Sequence, residues 1–265
     1  MIVDAHCHAS PQWFEPVEPL VAQMDLNGVE RAVLTQVLGQ FDNRYQEECV
    51  AHYPNRFASV GAVAVRREDA ADQVRHWAAR GMAGLRLRPE ARSPGSDPLA
   101  VWRAAADGGL AISCGGPPAH LLSEEFAAVA REFAGMPIVL EQLGGWPRPD
   151  CDREAATWSG ILRLSRLPNV LLKLPTLGQV ALRPVGTPLP PPGEPVLDAT
   201  EGAILIEALK AFGPERLMWG SDYPVVSSRE GYANALNWTR AIFADRPDAE
   251  RDAIFGGNAL RIFFA

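Results

Sequence analysis

The stretch Ile2-Val3-Asp4-Ala5-His6-Cys7-His8-Ala9-Ser10 starts with a short apolar run and ends it on two histidines one residue apart. Side chains at i and i+2 share one face of a strand, so His6 and His8 leave the strand end in the same direction. The same stretch weighs on the fold. An open doubly wound sheet usually carries a glycine-rich phosphate turn after its first strand. Here that turn is His6-Cys7-His8-Ala9-Ser10, and neither G-x-G-x-x-G nor G-K-[ST] occurs in the chain. Near the other end, Leu217-Met218-Trp219-Gly220-Ser221-Asp222-Tyr223-Pro224 is a second apolar run that stops at a carboxylate.

Between these ends, short apolar runs alternate with amphipathic stretches. Strands are expected at Ile2–His6, Arg31–Val37, Phe57–Val63, Met82–Arg88, Leu110–Cys114, Pro137–Leu143, Asn169–Leu174 and Arg216–Ser221. Helices are expected at Glu18–Asn27, Asn43–His52, Glu68–Arg80, Pro98–Asp107, Ser123–Ala134, Arg153–Ser165 and Ala199–Phe212. Three more are expected near Glu230–Ala244, Pro247–Phe255 and Asn258–Phe264. Strands that each lead into a helix make a parallel sheet. The count and the length of 265 residues match a single-domain (β/α)8 TIM barrel, with the C-terminal helices of residues 230–264 packing on it. Strands one and eight are neighbours in a closed barrel, which brings Asp222 to the rim that holds His6 and His8.

Composition narrows the partners. With 25 basic and 32 acidic residues the net charge is −7, which disfavours nucleic acid. No apolar run is long enough to span a membrane. The four cysteines, Cys7, Cys49, Cys114 and Cys151, form no C-x-x-C pair, and no basic-then-apolar leader is evident, so a cytoplasmic location is expected. The expected partner is a small anionic substrate, with a homodimer as the candidate assembly.

Two connections stand out. Pro89–Asp97 follows strand four, and Arg183–Pro195 follows strand seven with Pro188, Pro190, Pro191 and Pro192. Loops after barrel strands usually carry the site, so both are read as rim segments.

Two imidazoles on one face can chelate a divalent metal, and a nearby carboxylate can ligate it, activate water, or orient a ring. Arg86 and Arg88 share a face of strand four, where guanidinium forks would clamp a carboxylate if that face is inward. Lys173 is one of only two lysines and sits in the otherwise apolar run Val170-Leu171-Leu172-Lys173-Leu174. It is expected to face inward, because a buried ammonium needs a partner. Trp13, Trp146 and Tyr223 lie just past strand ends as candidate pocket walls. His52 and His76 read as helix residues, and His120 follows strand five.

The chain resembles the amidohydrolase superfamily, in its amidohydrolase-related, lactonase- and decarboxylase-like branch. The likeness runs through Asp4-Ala5-His6-Cys7-His8, Asn43-Arg44-Tyr45, Tyr53-Pro54-Asn55-Arg56-Phe57 and Gly84-Leu85-Arg86-Leu87. It continues through Pro137-Ile138-Val139-Leu140-Glu141-Gln142-Leu143-Gly144-Gly145, Gly220-Ser221-Asp222-Tyr223-Pro224 and Gly257-Asn258-Ala259. The resemblance implies a barrel enzyme acting on small, often carboxylated molecules, with His6, His8 and Asp222 as its matching site positions. It also implies histidines at the ends of strands five and six, where this chain has Cys114 and Gln142. No lysine on strand four is available for carbamylation, which argues against a binuclear centre. One divalent ion, zinc or manganese, would be held by His6, His8 and Asp222, with Cys114 as a fourth ligand. Some members of the branch work without metal. Gln142 is then a substrate contact, since it can neither give nor take a proton.

Three functions follow as expectations. The first is hydrolysis of a lactone or similar cyclic ester, with Asp222 activating water and Arg86, Arg88 or Lys173 gripping a carboxylate. The second is metal-dependent decarboxylation of an unsaturated or aromatic acid, which the loss of a strand-six histidine disfavours. The third is small-acid binding without catalysis.

Overall fold

Eight parallel strands form where the apolar runs lie: β1 (Val3–Cys7), β2 (Arg31–Thr35), β3 (Phe57–Gly61), β4 (Gly84–Leu87), β5 (Ala111–Cys114), β6 (Ile138–Leu140), β7 (Val170–Leu174) and β8 (Leu217–Trp219). They belong to a computed structural model that describes residues 1–146, 155–181 and 202–265. Hydrogen-bonded order follows chain order from β1 to β8. The ring is closed just past the strand ends. Asp222 N donates to His6 O at 2.8 Å, and His8 N donates to Tyr223 O at 2.7 Å. This is a (β/α)8 TIM barrel.

The α-helices among the described residues are α1 (Val17–Leu26), α2 (Arg44–His52), α3 (Ala70–Ala79), α4 (Ala100–Asp107), α5 (Pro118–Leu121), α6 (Glu124–Glu132), α7 (Ala155–Arg163), α8 (Leu177–Val180), α9 (Ala203–Phe212), α10 (Tyr232–Ile242), α11 (Asp248–Asp252) and α12 (Asn258–Phe263). Ser123 starts α6 by accepting from Phe126 N at 3.2 Å, the usual satisfaction of a free first-turn donor. None of these helices is long and apolar enough to cross a membrane.

Strand alternation sorts the core into two layers. Ile112, Cys114, Leu140, Leu172 and Leu174 pack outward against the helices. Val3, Ala5, Val33, Val60, Ala111, Val139, Leu171 and Met218 fill the barrel interior, with Ala259 and Phe263 of α12 packed among them. The pairing of β1 with β2 slips between Asp4 and Cys7. That irregularity shifts the phase of alternation. Ala5 joins the interior layer while Cys7 joins the outer one, and His6 and His8 both reach the mouth.

Several elements depart from expectation. β6 stops at Leu140, three residues before the expected end at Leu143. Gln142, Leu143, Gly144 and Gly145 have φ of 47°, 52°, 64° and 74° and form a tight left-handed turn instead. Alternation had read Leu143 as a strand residue, but it is buried as part of the turn. The short helix α5 was not expected. The first residues expected in α7 and α9, and the proline-rich connection Arg183–Pro195, lie outside the described residues.

Candidate active site

The polar site sits where β1, β7 and β8 reach the C-terminal mouth. Asp222 occupies a left-handed conformation, φ 59°, which Asp tolerates better than bulkier residues do. This turn directs its carboxylate inward while its N–H bonds β1. Gly220 makes the approach possible, since a Cβ there would lie 2.7 Å from His6 Cβ. Asp4 ties the same corner from behind. Its Oδ1 accepts from His6 N at 3.1 Å and Ser221 N at 2.9 Å, and its Oδ2 accepts from Tyr232 OH at 3.0 Å.

His6, His8 and Asp222 are all buried, and their ligand atoms lie within 4.8 Å of one another. Asp222 Oδ1 is 3.8 Å from His6 Nε2 and 3.5 Å from His8 Nε2. His8 Nδ1 is 2.7 Å from Thr35 O. A carbonyl only accepts, so Nδ1 carries the proton and Nε2 presents its lone pair. Asp222 Oδ2 accepts from Gln179 Nε2 at 2.8 Å, and Arg229 Nη2 lies 3.4 Å away. One carboxylate oxygen is thereby held while the other faces the imidazoles.

Behind His6 runs a buried polar chain. Lys173 Nζ is 3.1 Å from His6 Nδ1 and donates to Ser113 Oγ at 3.0 Å. Ser113 Oγ donates to Glu141 Oε1 at 2.7 Å. Arg86 grips the same carboxylate with two bonds, Nε to Oε1 at 2.9 Å and Nη2 to Oε2 at 2.7 Å, and donates from Nη1 to Gln36 O at 2.7 Å. Burial, reinforced by Lys173, pushes His6 well below the ordinary imidazole value. Burial also lowers Lys173 to about 8, against the pull of Glu141. For Glu141, burial alone would raise the carboxyl, but Arg86, His6 and Lys173 outweigh it and hold it ionised.

A divalent metal fits this donor set. Two borderline imidazoles and one hard carboxylate suit zinc or manganese, and three ligands leave positions open, as in catalytic zinc sites. His6 Nε2 is buried without a hydrogen-bond partner among the described residues, and His8 Nε2 faces the same point. The state of His6 depends on Lys173. A charged Lys173 donates to Nδ1 and leaves the ring proton on Nε2, where it meets water or a substrate oxygen. A ligand at Nε2 requires the reverse arrangement.

The other expected residues divide. Lys173 does face inward, but its amine is taken up by His6 and Ser113, so it braces the site. Arg86 is also inward, yet Glu141 neutralises it, so it is no free clamp. Arg88 lies past β4 and is exposed, 3.7 Å from Glu90. Cys114 is a correction. It faces the outer apolar layer, and Ser113 holds the inward position on β5. Its thiol, pushed well up by burial, is no part of the three-ligand group. Tyr223 is also corrected. Its ring packs in the outer core near Tyr232, and its hydroxyl bonds Glu15 rather than facing the mouth. Trp146 packs on Trp158, with ring centroids 4.9 Å apart. Trp13 is exposed, and His120 pairs with Glu90 at the rim, 2.9 Å away. Gln142 lines a cavity of about 270 Å³ together with Leu38, Arg86, Arg88, Gly115 and Glu141. Sequence reasoning passed over Glu141. The signal was a carboxylate ending an apolar strand, the same signal that drew attention to Asp222.

Fold and site together define a barrel protein with its polar centre at the C-terminal mouth, the face on which enzymes of this architecture build active sites. Residues 3–265 match the family model for the amidohydrolases, and the chain belongs to that family. It is 35% identical to an L-fucono-1,5-lactonase from Burkholderia multivorans over 141 residues, 48% of this chain and 42% of that protein. The chain thus matches less than half the length of this relative. Among solved structures, an amidohydrolase from Burkholderia multivorans with bound zinc superposes with a TM-score of 0.78 at 21% identity, covering 99% of this chain and 98% of the other. A probable 2-pyrone-4,6-dicarboxylic acid hydrolase from Acinetobacter baumannii, with citric acid bound, gives a TM-score of 0.75 at 17% identity over 100% and 99% of the two chains.

Proposed function

We propose that this protein opens a lactone or similar cyclic ester of a small anionic molecule, with Asp222 activating the attacking water. The convergence of Asp222 Oδ1, His8 Nε2 and His6 Nε2, at 3.5 and 3.8 Å, carries this reading. These separations exceed direct hydrogen bonds and leave room for one oxygen or ion between the three groups. The similarity to an L-fucono-1,5-lactonase over part of the chain supports a ring ester as the substrate.

Asp222 Oδ1 accepts a proton from water as the water oxygen bonds the ester carbonyl carbon. With its proton on Nε2, His6 donates to the carbonyl oxygen as charge develops there. The ring C–O bond then breaks, and the proton held by Asp222 passes to the departing oxygen. Lys173 and Thr35 O hold the two rings in place through their Nδ1 atoms. In the reverse arrangement, with Lys173 neutral and the His6 proton on Nδ1, His6, His8 and Asp222 would instead hold one divalent ion, zinc or manganese, and such an ion would acidify water and polarise the carbonyl in place of the His6 donor. Gln142 and Arg88, which line the mouth, contact the rest of the substrate.

A panel of aldono- and pyrone-type lactones, followed by acid release, tests the proposal. Asp222→Asn should lower turnover by about 10²–10⁴-fold while circular dichroism stays unchanged. Undiminished hydrolysis in that variant would exclude Asp222 as the base. Carbon dioxide release from an aromatic acid, with no lactone opened, would make the protein a decarboxylase.

A further inference from the structure

This inference rests on the lactone reading and adds a substrate class to it. We infer that the substrate carries an apolar arm ending in an acid group, and that the arm lies in a second lobe of the mouth, between the loops after β2, β3 and β4.

Seven large hydrophobic side chains are exposed among the described residues, and four of them, Trp13, Phe14, Leu38 and Phe41, stand on the loops after β1 and β2. Scattered exposed hydrophobics need no explanation, but a group at one rim does. Leu38 and Phe41 line a cavity of about 290 Å³ whose walls include Val63, Val65, Arg66 and Arg88. A space near 300 Å³ suits part of a small molecule, not a helix or a chain segment.

The charge of this lobe opposes that of the protein. The chain carries −7, yet the lobe is lined by Arg66, Arg86, Arg88 and Arg92 against the single carboxylate of Glu90. Glu141 accounts for Arg86. Arg66 is exposed and makes no hydrogen bond or ion pair among the described residues. Glu90 is 3.7 Å from Arg88 but 2.9 Å from His120, so Arg88 is weakly matched. Guanidinium groups beside an apolar wall suit a carboxylate on an apolar body.

The lobe neighbours the reacting centre across the end of β2. Arg86, in its wall, bonds the carbonyl of Gln36, and the preceding carbonyl, of Thr35, holds His8. Phe14 adds an apolar ring at the centre itself, its centroid 5.4 Å from that of His8. A ring ester at His6, His8 and Asp222 would extend its substituent over Leu38 towards Arg66 and Arg88.

Calorimetric titration of the whole protein with 4-phenylbutyrate, butyrate and 4-phenylbutanol tests this. Phenylbutyrate should bind about 10-fold or more tightly than either comparison compound, since each lacks one half of the recognition. Phe41→Ser and Arg66→Gln should each weaken it by about 5-fold or more, and both positions are exposed enough to leave folding intact. Equal affinity for the three probes, or variants that bind like the parent, would overturn the inference. A Phe41→Ser change that altered the sedimentation mass without altering phenylbutyrate affinity would assign the apolar rim to self-association and likewise overturn it. Phenylbutyrate binding without any lactone opening keeps the lobe and removes the lactone reading. Lactone opening with no preference for an acidic apolar arm does the opposite.

Discussion

At the scale of single residues, the site is set by which atom of each side chain is already occupied. His8 spends Nδ1 on Thr35 O and keeps Nε2. Asp222 spends Oδ2 on Gln179 and keeps Oδ1. The free atoms are the ones that meet. Equilibration with zinc followed by removal of free metal should leave one ion per chain by elemental analysis. His8→Ala should weaken that binding by at least about 10-fold, because it deletes one of three ligands. Glu141 is the other residue whose partners define it. The Arg86 and Glu141 side chains are 9% and 7% exposed, so screening by solvent is slight. Glu141→Gln leaves Arg86 buried without its counter-charge, and should cost about 3–5 kcal/mol at neutral pH in urea unfolding. The pH dependence has a definite sign. The folded carboxyl titrates below its unfolded value, so its contribution is complete above about pH 4.3 and fades as pH falls through the depressed value. The difference between wild type and Glu141→Gln should therefore shrink on acidification, and a constant gap from pH 7 to pH 3 would contradict the assignment.

At the scale of elements, the corner between β1 and β8 matters most. β8 itself is three residues long, and the ring is completed by the segment after it. Gly220 lies against His6, where an added Cβ would sit 2.7 Å from His6 Cβ and 2.9 Å from its backbone nitrogen. Neither atom is the far end of a flexible side chain. Gly220→Ala should lower stability by about 1–3 kcal/mol in a denaturant series, as other overpacked sites do. It should also lower zinc affinity, because His6 and Asp222 move apart together.

At the scale of the whole molecule, the barrel floor depends on the far end of the chain. Phe263 of α12 lies in the interior layer with Val3, Val60 and Leu171, and Lys173 Nζ lies 5.5 Å from its ring centroid. The C-terminal helix thus supports the same lysine that braces His6. Phe263→Ala should cost about 3–5 kcal/mol, read from the thermal or urea midpoint. An exposed control such as Leu26→Ala should shift it far less, since Leu26 is 80% exposed.

The alternation of short apolar runs and amphipathic stretches determined the eight parallel strands and their order, because periodicity is a local property of the chain. The same local reading placed His6 and His8 on one face and Asp222 at a strand end. Which neighbours those atoms have was decided only in three dimensions. A strand pattern does not say where a strand stops, so Leu143 looked like strand and Gln142 stood in for the inward residue of β6. Once the left-handed turn at residues 142–145 forms, Glu141 takes that place. Alternation alone does not say which of Cys114 and Ser113 faces in, and the register of β5, with Ser113 beside Arg86 and Val139, gave the interior to Ser113. Arg86 read as a free clamp because its partner Glu141 is 55 residues away, and only the closed barrel brings the two side chains to 2.7 Å.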